Sequence, residues 1–159
     1  MPSVRILPAH TAADMHDVAA LFREYAAALA VDLCFQGFAD ELATLPGKYA
    51  PPTGELLLAR ASDGSALGCA ALRPLDDPGV CEMKRLFVRD AARGLGLGRA
   101  LVAALLVAAQ GRGYREMRLD TLPSMTAARA LYRDLGFVEI PPYCFNPVPG
   151  TLYLARPLD

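Results

Sequence analysis

The chain is short of several things, and each shortage removes a class of function. Charge of one sign is missing: 16 Lys and Arg against 17 Asp and Glu leave a net charge of -1 at pH 7. The basic residues are spread along the chain and form no stripe, so nucleic acid is not an expected partner. The four cysteines, Cys34, Cys69, Cys81 and Cys144, are far apart and include no CxxC pair. Neither a zinc knuckle nor a disulfide framework is indicated, no metal is expected, and the thiols read as reduced, small, packed hydrophobes. A long hydrophobic run is also missing. The longest, Ala100 to Ala109, is about half of what a bilayer span requires, and the amino-terminal stretch carries no uninterrupted apolar core of the signal-peptide kind. The expectation is a soluble, cytoplasmic protein with no membrane partner.

What is present is a globular composition, 53% hydrophobic and 21% charged over 159 residues. A chain of this length buries roughly two-thirds of its unfolded surface around one core, which predicts a single domain over residues 1–159. "SVRILPA" alternates like a strand. "TAADMHDVAALFREYAAAL" has helical spacing at Met15, Val18, Leu21, Phe22 and Tyr25, and Thr11 with Asp14 makes a capping-box start. An irregular segment follows, with a short helix predicted over Ala39 to Leu45. "GELLLARA" and "ALGCAALRPL" flank the turn "SDGS" as a hairpin, and "DDPG" leads into the strand "VCEMKRLFV". Beyond it come a helix from about Gly98 to Gln110, the strand "REMRLDTL", the helix "MTAARALYRDL" ended by Gly136, and a last stretch that begins and ends as strand. Four prolines between Pro141 and Pro149 keep its middle out of helix. A meander followed by strand, helix, strand, helix, strand predicts an α+β fold: a mixed sheet with helices on its faces.

The most informative stretch is "RDAARGLGLGRALVAALL", where Arg93, Gly96 and Gly98 give R-x-x-G-x-G, with Gly94 as a further glycine, between a strand and a helix. The first amides of a helix lack internal acceptors, and glycines let the backbone come close to a phosphate. The helix dipole and Arg93 or Arg99 add positive potential, so a diphosphate fits. A tight strand-to-helix connection explains a pair of glycines equally well, but three alternating glycines between two arginines favour the anion. A Walker loop would need Lys and Ser or Thr after its second glycine, and a dinucleotide fingerprint would need glycine where Arg99 stands.

With "EMKRLFVRDAARGLGLGRALVAALL" and "ARALYRDLGF" the chain resembles the GNAT superfamily of acetyl-CoA-dependent N-acyltransferases, specifically from Cys81 to Phe137. The resemblance implies a GNAT-like twisted, mostly antiparallel central sheet with helices on both faces, and acetyl-CoA as cosubstrate. It implies that Leu86, Phe87 and Val88 offer backbone groups to the pantetheine arm, and that the turn Arg93, Gly94, Leu95, Gly96, Leu97, Gly98, Arg99 holds the pyrophosphate. Substitution at Gly96 or Gly98 is then expected to hurt more than at Leu95 or Leu97.

Acetyl transfer to an amine needs a base for the amine and benefits from an acid for the thiolate. Glu82, eleven residues before Arg93, has the spacing of the strand glutamate that is the base in some members, and apolar strand surroundings would favour proton acceptance; an ion pair with Lys84 on the same strand face, or with another surface cation, is the structural alternative. Tyr132 matches the thiolate-facing tyrosine, with a place in the stripe of Ala127, Ala128, Leu131 and Leu135 as its alternative. Where many members have an Asn seven residues earlier, this chain has Met125; Ser124 and Thr126 are candidate substitutes and equally candidate helix caps. His10 and His16 read as surface or capping residues and Asp120 as structural.

For the acceptor, the connection after the first helix (Phe35, Gln36, Tyr49) and the late segment (Tyr143, Asn146) are the candidate lining, Asn146 also suiting a turn before Pro147. No concentrated acidic wall points to a highly cationic acceptor. The expected activity is acetyl transfer to a primary amine of a small molecule or peptide by direct attack in a ternary complex, with a homodimer as an admissible assembly. The alternative is an inactive module of the same fold that senses acyl-CoA.

Overall fold

The computed structural model describes residues 3–29, 33 and 37–158. Seven strands form one sheet: β1 (Val4–Pro8), β2 (Glu55–Ala61), β3 (Ala66–Pro74), β4 (Val80–Val88), β5 (Glu116–Thr121), β6 (Val138–Ile140) and β7 (Leu152–Pro157). Their spatial order is β1-β2-β3-β4-β5-β7-β6. Among the described residues only the β4–β5 pair is parallel; β1 to β4 pair antiparallel as the meander predicted, and β7 pairs antiparallel with both β5 and β6.

Four helices cover the sheet: α1 (Ala12–Leu29), α2 (Phe38–Ala43), α3 (Leu97–Gly111) and α4 (Thr126–Asp134). Side chains of a strand alternate between faces, and β2 shows what that does here. Leu56 and Leu58 pack with Val18, Leu21 and Phe22 of α1, whereas Leu57 and Ala59 pack with Leu101, Val102 and Leu105 of α3. The sheet therefore has a core on each side.

The predicted capping box closes α1: Thr11 Oγ1 accepts from the Asp14 N–H at 3.0 Å, and Asp14 Oδ2 accepts from the Thr11 N–H at 3.2 Å. His10 and His16 are exposed. The short helix lies over Phe38–Ala43, a little before its predicted place, because Leu45-Pro46 follows and proline disfavours helix in the residue before it. α3 starts one residue early, at Leu97, with Gly96 at φ 73° as its N-cap.

Two local features of this fold shape the site. The β3–β4 register shifts between Cys69 and Ala71, so Arg85 and Leu86 of β4 together oppose Ala70, and Arg85 takes a φ of 61°. This is a β-bulge, which bends the strand that carries it. On the other side of β4, pairing with β5 ends at Glu82–Arg118. From Met83 onward the edge of β4 that faces β5 has no strand partner, and the sheet is splayed open there.

Candidate functional site

Two large cavities flank the splay, and a small one between them shares lining residues with each. The larger, about 680 Å³, runs along the freed edge of β4 at Leu86, Phe87 and Val88, past Arg93, Gly94, Gly96, Leu97 and Gly98, and between Tyr25 of α1 and the start of α4. The motif residues that the sequence singled out are thus brought together, apart from Leu95 and Arg99, which are not in its wall. Arg99 turns to Asp134 at 3.0 Å.

The turn has the properties an anion needs. Gly94 and Gly96 have φ of 84° and 73°, and a Cβ at either would meet nothing within 4 Å. What these positions require is left-handed backbone, which glycine adopts without steric cost. The first bond into α3 runs from the Ala100 N–H to the Gly96 carbonyl. The amides of Leu97, Gly98 and Arg99 find no backbone acceptor among the described residues, and they stand at the positive end of the helix. The Leu97 side chain is buried in the α3 core, so substitution there costs packing whatever it does to the turn.

At α4 the Met125 position is the N-cap, and no side chain caps the helix. Ser124 and Thr126 therefore do not cap it, and their side chains are left to the groove they line. The end of α4 explains how Tyr132 is held. The Gly136 N–H bonds the Arg133 carbonyl at 3.1 Å and the Phe137 N–H bonds the Tyr132 carbonyl at 3.0 Å, a Schellman motif with Gly136 at φ 92°. The Tyr132 and Phe137 rings lie 5.7 Å apart, the hydrophobic contact that accompanies this motif. "LYRDLGF" is thus a mechanical unit. Tyr132 is 4% exposed, and burial holds its phenol pKa above the ordinary value, with Tyr25 and Asp120 adding to the shift. It belongs to the core and also lines a small cavity of about 30 Å³ shared with Lys84 and Asp120, enough for a water.

That small cavity shares Lys84 and Asp120 with the second large one, about 490 Å³, walled by α2, the turn around Lys48 and Tyr49, Arg73, Glu82, Lys84, Asp120, Cys144 and Phe145. Tyr49 lines it as expected. Phe35 and Gln36 lie outside the described residues. Tyr143 and Asn146 are not in its wall; they stand behind it and hold the carboxylates. The Tyr143 hydroxyl donates to Glu82 Oε2 at 2.5 Å, and Asn146 Nδ2 donates to Asp120 Oδ2 at 3.0 Å while its Oδ1 accepts from the Val148 N–H. The turn reading of Asn146 is the one the structure contains.

Glu82 is 1% exposed, yet its surroundings are not apolar as the strand sequence suggested. Besides Tyr143, Arg73 Nε donates to its Oε1 at 2.7 Å and Lys84 Nζ lies at 4.0 Å. Alternation puts Glu82 and Lys84 on one face of β4 while Cys81 and Met83 enter the α3 core, so these charges have each other in place of solvent. Burial lowers the Lys84 pKa, with Arg85 adding to that and Glu82 opposing it.

Sequence reasoning missed three contributors. Asp120, read as structural, lines both the small cavity and the acceptor-sized one. Arg73 enters because β3 pairs it with Glu82 across the sheet. Arg85, 2% exposed, grips Glu41 of α2 with two 2.9 Å bonds and stacks on Phe38 and Tyr25 with centroid distances of 5.3 and 5.7 Å. It ties the bulge to the cavity wall. A lone arginine inside a strand pattern was the only signal, and it does not say what it will meet.

No group of three or more His, Cys, Asp or Glu placed to hold a metal occurs among the described residues, and no helix among them is long and apolar enough to cross a membrane.

Comparison with known proteins bears on the same region. Residues 18–137 match the model of the acetyltransferase (GNAT) family. An uncharacterised N-acetyltransferase of Schizosaccharomyces pombe is 45% identical over 141 residues, covering 89% of this chain and 86% of that one. A GCN5-related N-acetyltransferase from Kribbella flavida aligns over 98% of both chains with a TM-score of 0.72 at 25% identity. A GNAT-family acetyltransferase from Staphylococcus aureus shares the fold with a TM-score of 0.82 over 99% of this chain and 100% of its own, at 19% identity.

Proposed function

As a member of the acetyltransferase (GNAT) family this chain is an N-acetyltransferase, and we propose that it moves an acetyl group from acetyl-CoA in the β4–α3–α4 groove to a primary amine in the facing cavity. The transfer is direct, in a ternary complex. The observation that carries the reading is the junction: a small cavity lined by Tyr132 shares Tyr25, Leu86 and Met125 with the groove and Lys84 and Asp120 with the facing cavity.

The donor is held mainly by main chain. Amides at the start of α3 and the glycine turn take the diphosphate, and the freed edge of β4 at Leu86, Phe87 and Val88 takes the pantetheine arm. The thioester carbonyl is then delivered to the gap beside Tyr132. The amine attacks the carbonyl carbon, the C–S bond breaks, and the Tyr132 phenol meets the departing thiolate as a hydrogen-bond donor and acid. Its raised pKa keeps it protonated through neutral pH.

Glu82, in the acceptor cavity, takes the amine's proton directly or through a water. Its bonds to Arg73 and Tyr143 fix the carboxylate's orientation, which a base requires. The thiol in that cavity is a poor rival nucleophile. The Cys144 pKa is pushed up to about 11 by burial and by Asp120 and Glu82, which leaves little thiolate to form an acetyl-enzyme. That supports direct attack. The inactive-sensor alternative has no counterpart in the catalytic names of the relatives.

Mass-spectrometric detection of acetylated products from a broad amine panel with acetyl-CoA tests the activity. Acetylation of at least one amine class, strongly slowed in Tyr132→Phe, is the expected result; tight coenzyme A binding with no acetylated amine across the panel would return the sensor reading.

A further inference from the structure

The acceptor itself is unnamed by the motif, but the splay holds two opposite charges with no ion pair between them among the described residues. β4 and β5 run parallel with Glu82 opposite Arg118. Two residues on, where the strands have parted, Lys84 therefore faces Asp120 on the same side of the sheet. Both line the small cavity next to Tyr132, and both line the acceptor cavity. They form no ion pair with each other: the ion pair of Lys84 is the 4.0 Å contact to Glu82. Its side chain is 11% exposed, and its ammonium makes no hydrogen bond among the described residues. Asp120 accepts through Oδ2 from Asn146 and, at 4.0 Å, from the Cys144 thiol; Oδ1 has no hydrogen-bond partner among the described residues.

An ammonium that lines two cavities and has no hydrogen-bond acceptor among the described residues is placed to take a ligand anion, and a charge-assisted bond of that kind is a strong one. A simple cationic amine would satisfy Asp120 and leave Lys84 without an anion of its own. A group carrying an amine and a carboxylate on one carbon satisfies both sides of the gap at once. Resting on the amine-acetyltransferase reading above, we propose that Lys84 and Asp120 read the two ends of a zwitterion and that the acceptor is an α-amino acid, its carboxylate on Lys84 and its amine on Asp120, beside the thioester.

In this arrangement Asp120 is a positioning residue for the amine and Lys84 the determinant of specificity. The acceptor cavity beyond, bounded by Tyr49, Lys48 and Phe145, is left for the amino-acid side chain. Charge-assisted hydrogen bonds are the strong ones, so the α-carboxylate is expected to contribute about ten- to hundredfold in kcat/KM.

The test uses the full chain with acetyl-CoA and the common α-amino acids, each beside its α-carboxamide and its decarboxylated amine. The expected result is at least a tenfold higher kcat/KM for an amino acid than for its two analogues. Lys84→Met should collapse that ratio, chiefly through KM, and Lys84→Arg should restore part of it, with coenzyme A binding by calorimetry confirming that each variant is folded. Amides or decarboxylated amines acetylated as fast as the acids, or a preference that survives Lys84→Met, would overturn the proposal and leave the acetyltransferase reading standing. Transfer to no amine at all would overturn both.

Discussion

The proposed donor groove and the proposed acceptor cavity are built from opposite materials. The groove is made of backbone amides, a freed strand edge and glycines, nearly all supplied by Leu86 to Gly98 and the start of α4. The acceptor cavity is made of charged and aromatic side chains drawn from α2, β3, β4, β5 and the proline-rich segment after β6. A common donor can be held by a local turn whose geometry few residues besides glycine satisfy, so its sequence is constrained and recognisable. An acceptor that differs between enzymes must be read by side chains, which any backbone can carry.

That contrast is most sharply tested at Gly96. Its φ of 73° and its place beside the open amides predict that Gly96→Val abolishes acetyl-CoA binding in calorimetry, since a β-branched residue is an outlier in left-handed backbone. Leu95→Ala, next to it but outside the groove wall, should leave the affinity unchanged. Equal losses in the two variants would mean that the turn is not the diphosphate site.

On the acceptor side, Glu82→Gln removes the proposed base and unpairs Arg73. Turnover should fall about 100-fold, and the melting temperature should fall as well. Loss of melting temperature with turnover intact would assign Glu82 to structure alone.

Tyr132→Phe lies between the regions. It keeps the ring that packs on Phe137 and loses the hydroxyl, so kcat should fall about tenfold or more while acetyl-CoA affinity holds. The phenol is the protonated acid, and its pKa is raised above 10.0; its contribution should therefore be present throughout neutral and mildly alkaline pH, with no falling limb from it below pH 10. A pH–rate profile of both enzymes checks this. Full turnover in the mutant at every pH would remove the acid role.

The smallest effect belongs to a residue that touches neither region. Asp14→Ala breaks the capping box and the 2.7 Å contact to Arg60, and chemical denaturation should show a loss of about 1 kcal/mol. Hydrogen bonds from the His10 N–H, then Arg60, hold the Asp14 pKa below its ordinary 3.8. A depressed carboxylate stabilises the fold above its unfolded value and loses that contribution as pH falls. Wild type should therefore lose its advantage over Asp14→Ala below about pH 4, with activity constants alike at neutral pH.

The legibility of each element follows from how local its cause is. α1 was readable because Thr11, Asp14 and the 3.6-residue stripe act within a few turns, and the burial of Val18, Leu21 and Phe22 matches the stripe. Tyr132 was readable because Gly136 and Phe137, which lock it, are its neighbours in the chain. Glu82 was found but its setting was misjudged: Cys81 and Met83 beside it in sequence point to the other face, while Arg73 and Tyr143, far off in sequence, supply its partners. Asn146 was placed in the wall on the strength of its amide, which the turn and Asp120 consume.

Local sequence therefore determined the family, the order of elements and the turn proposed to hold the donor: period-two and period-3.6 patterns, caps, and a turn whose left-handed backbone only glycine adopts at little cost are short-range physics. Tertiary structure alone decided the acceptor side. The bulge at Arg85 and the end of β4–β5 pairing at Glu82 depend on how strands far apart in the chain align, and only that alignment sets Lys84 across from Asp120 with a gap between them.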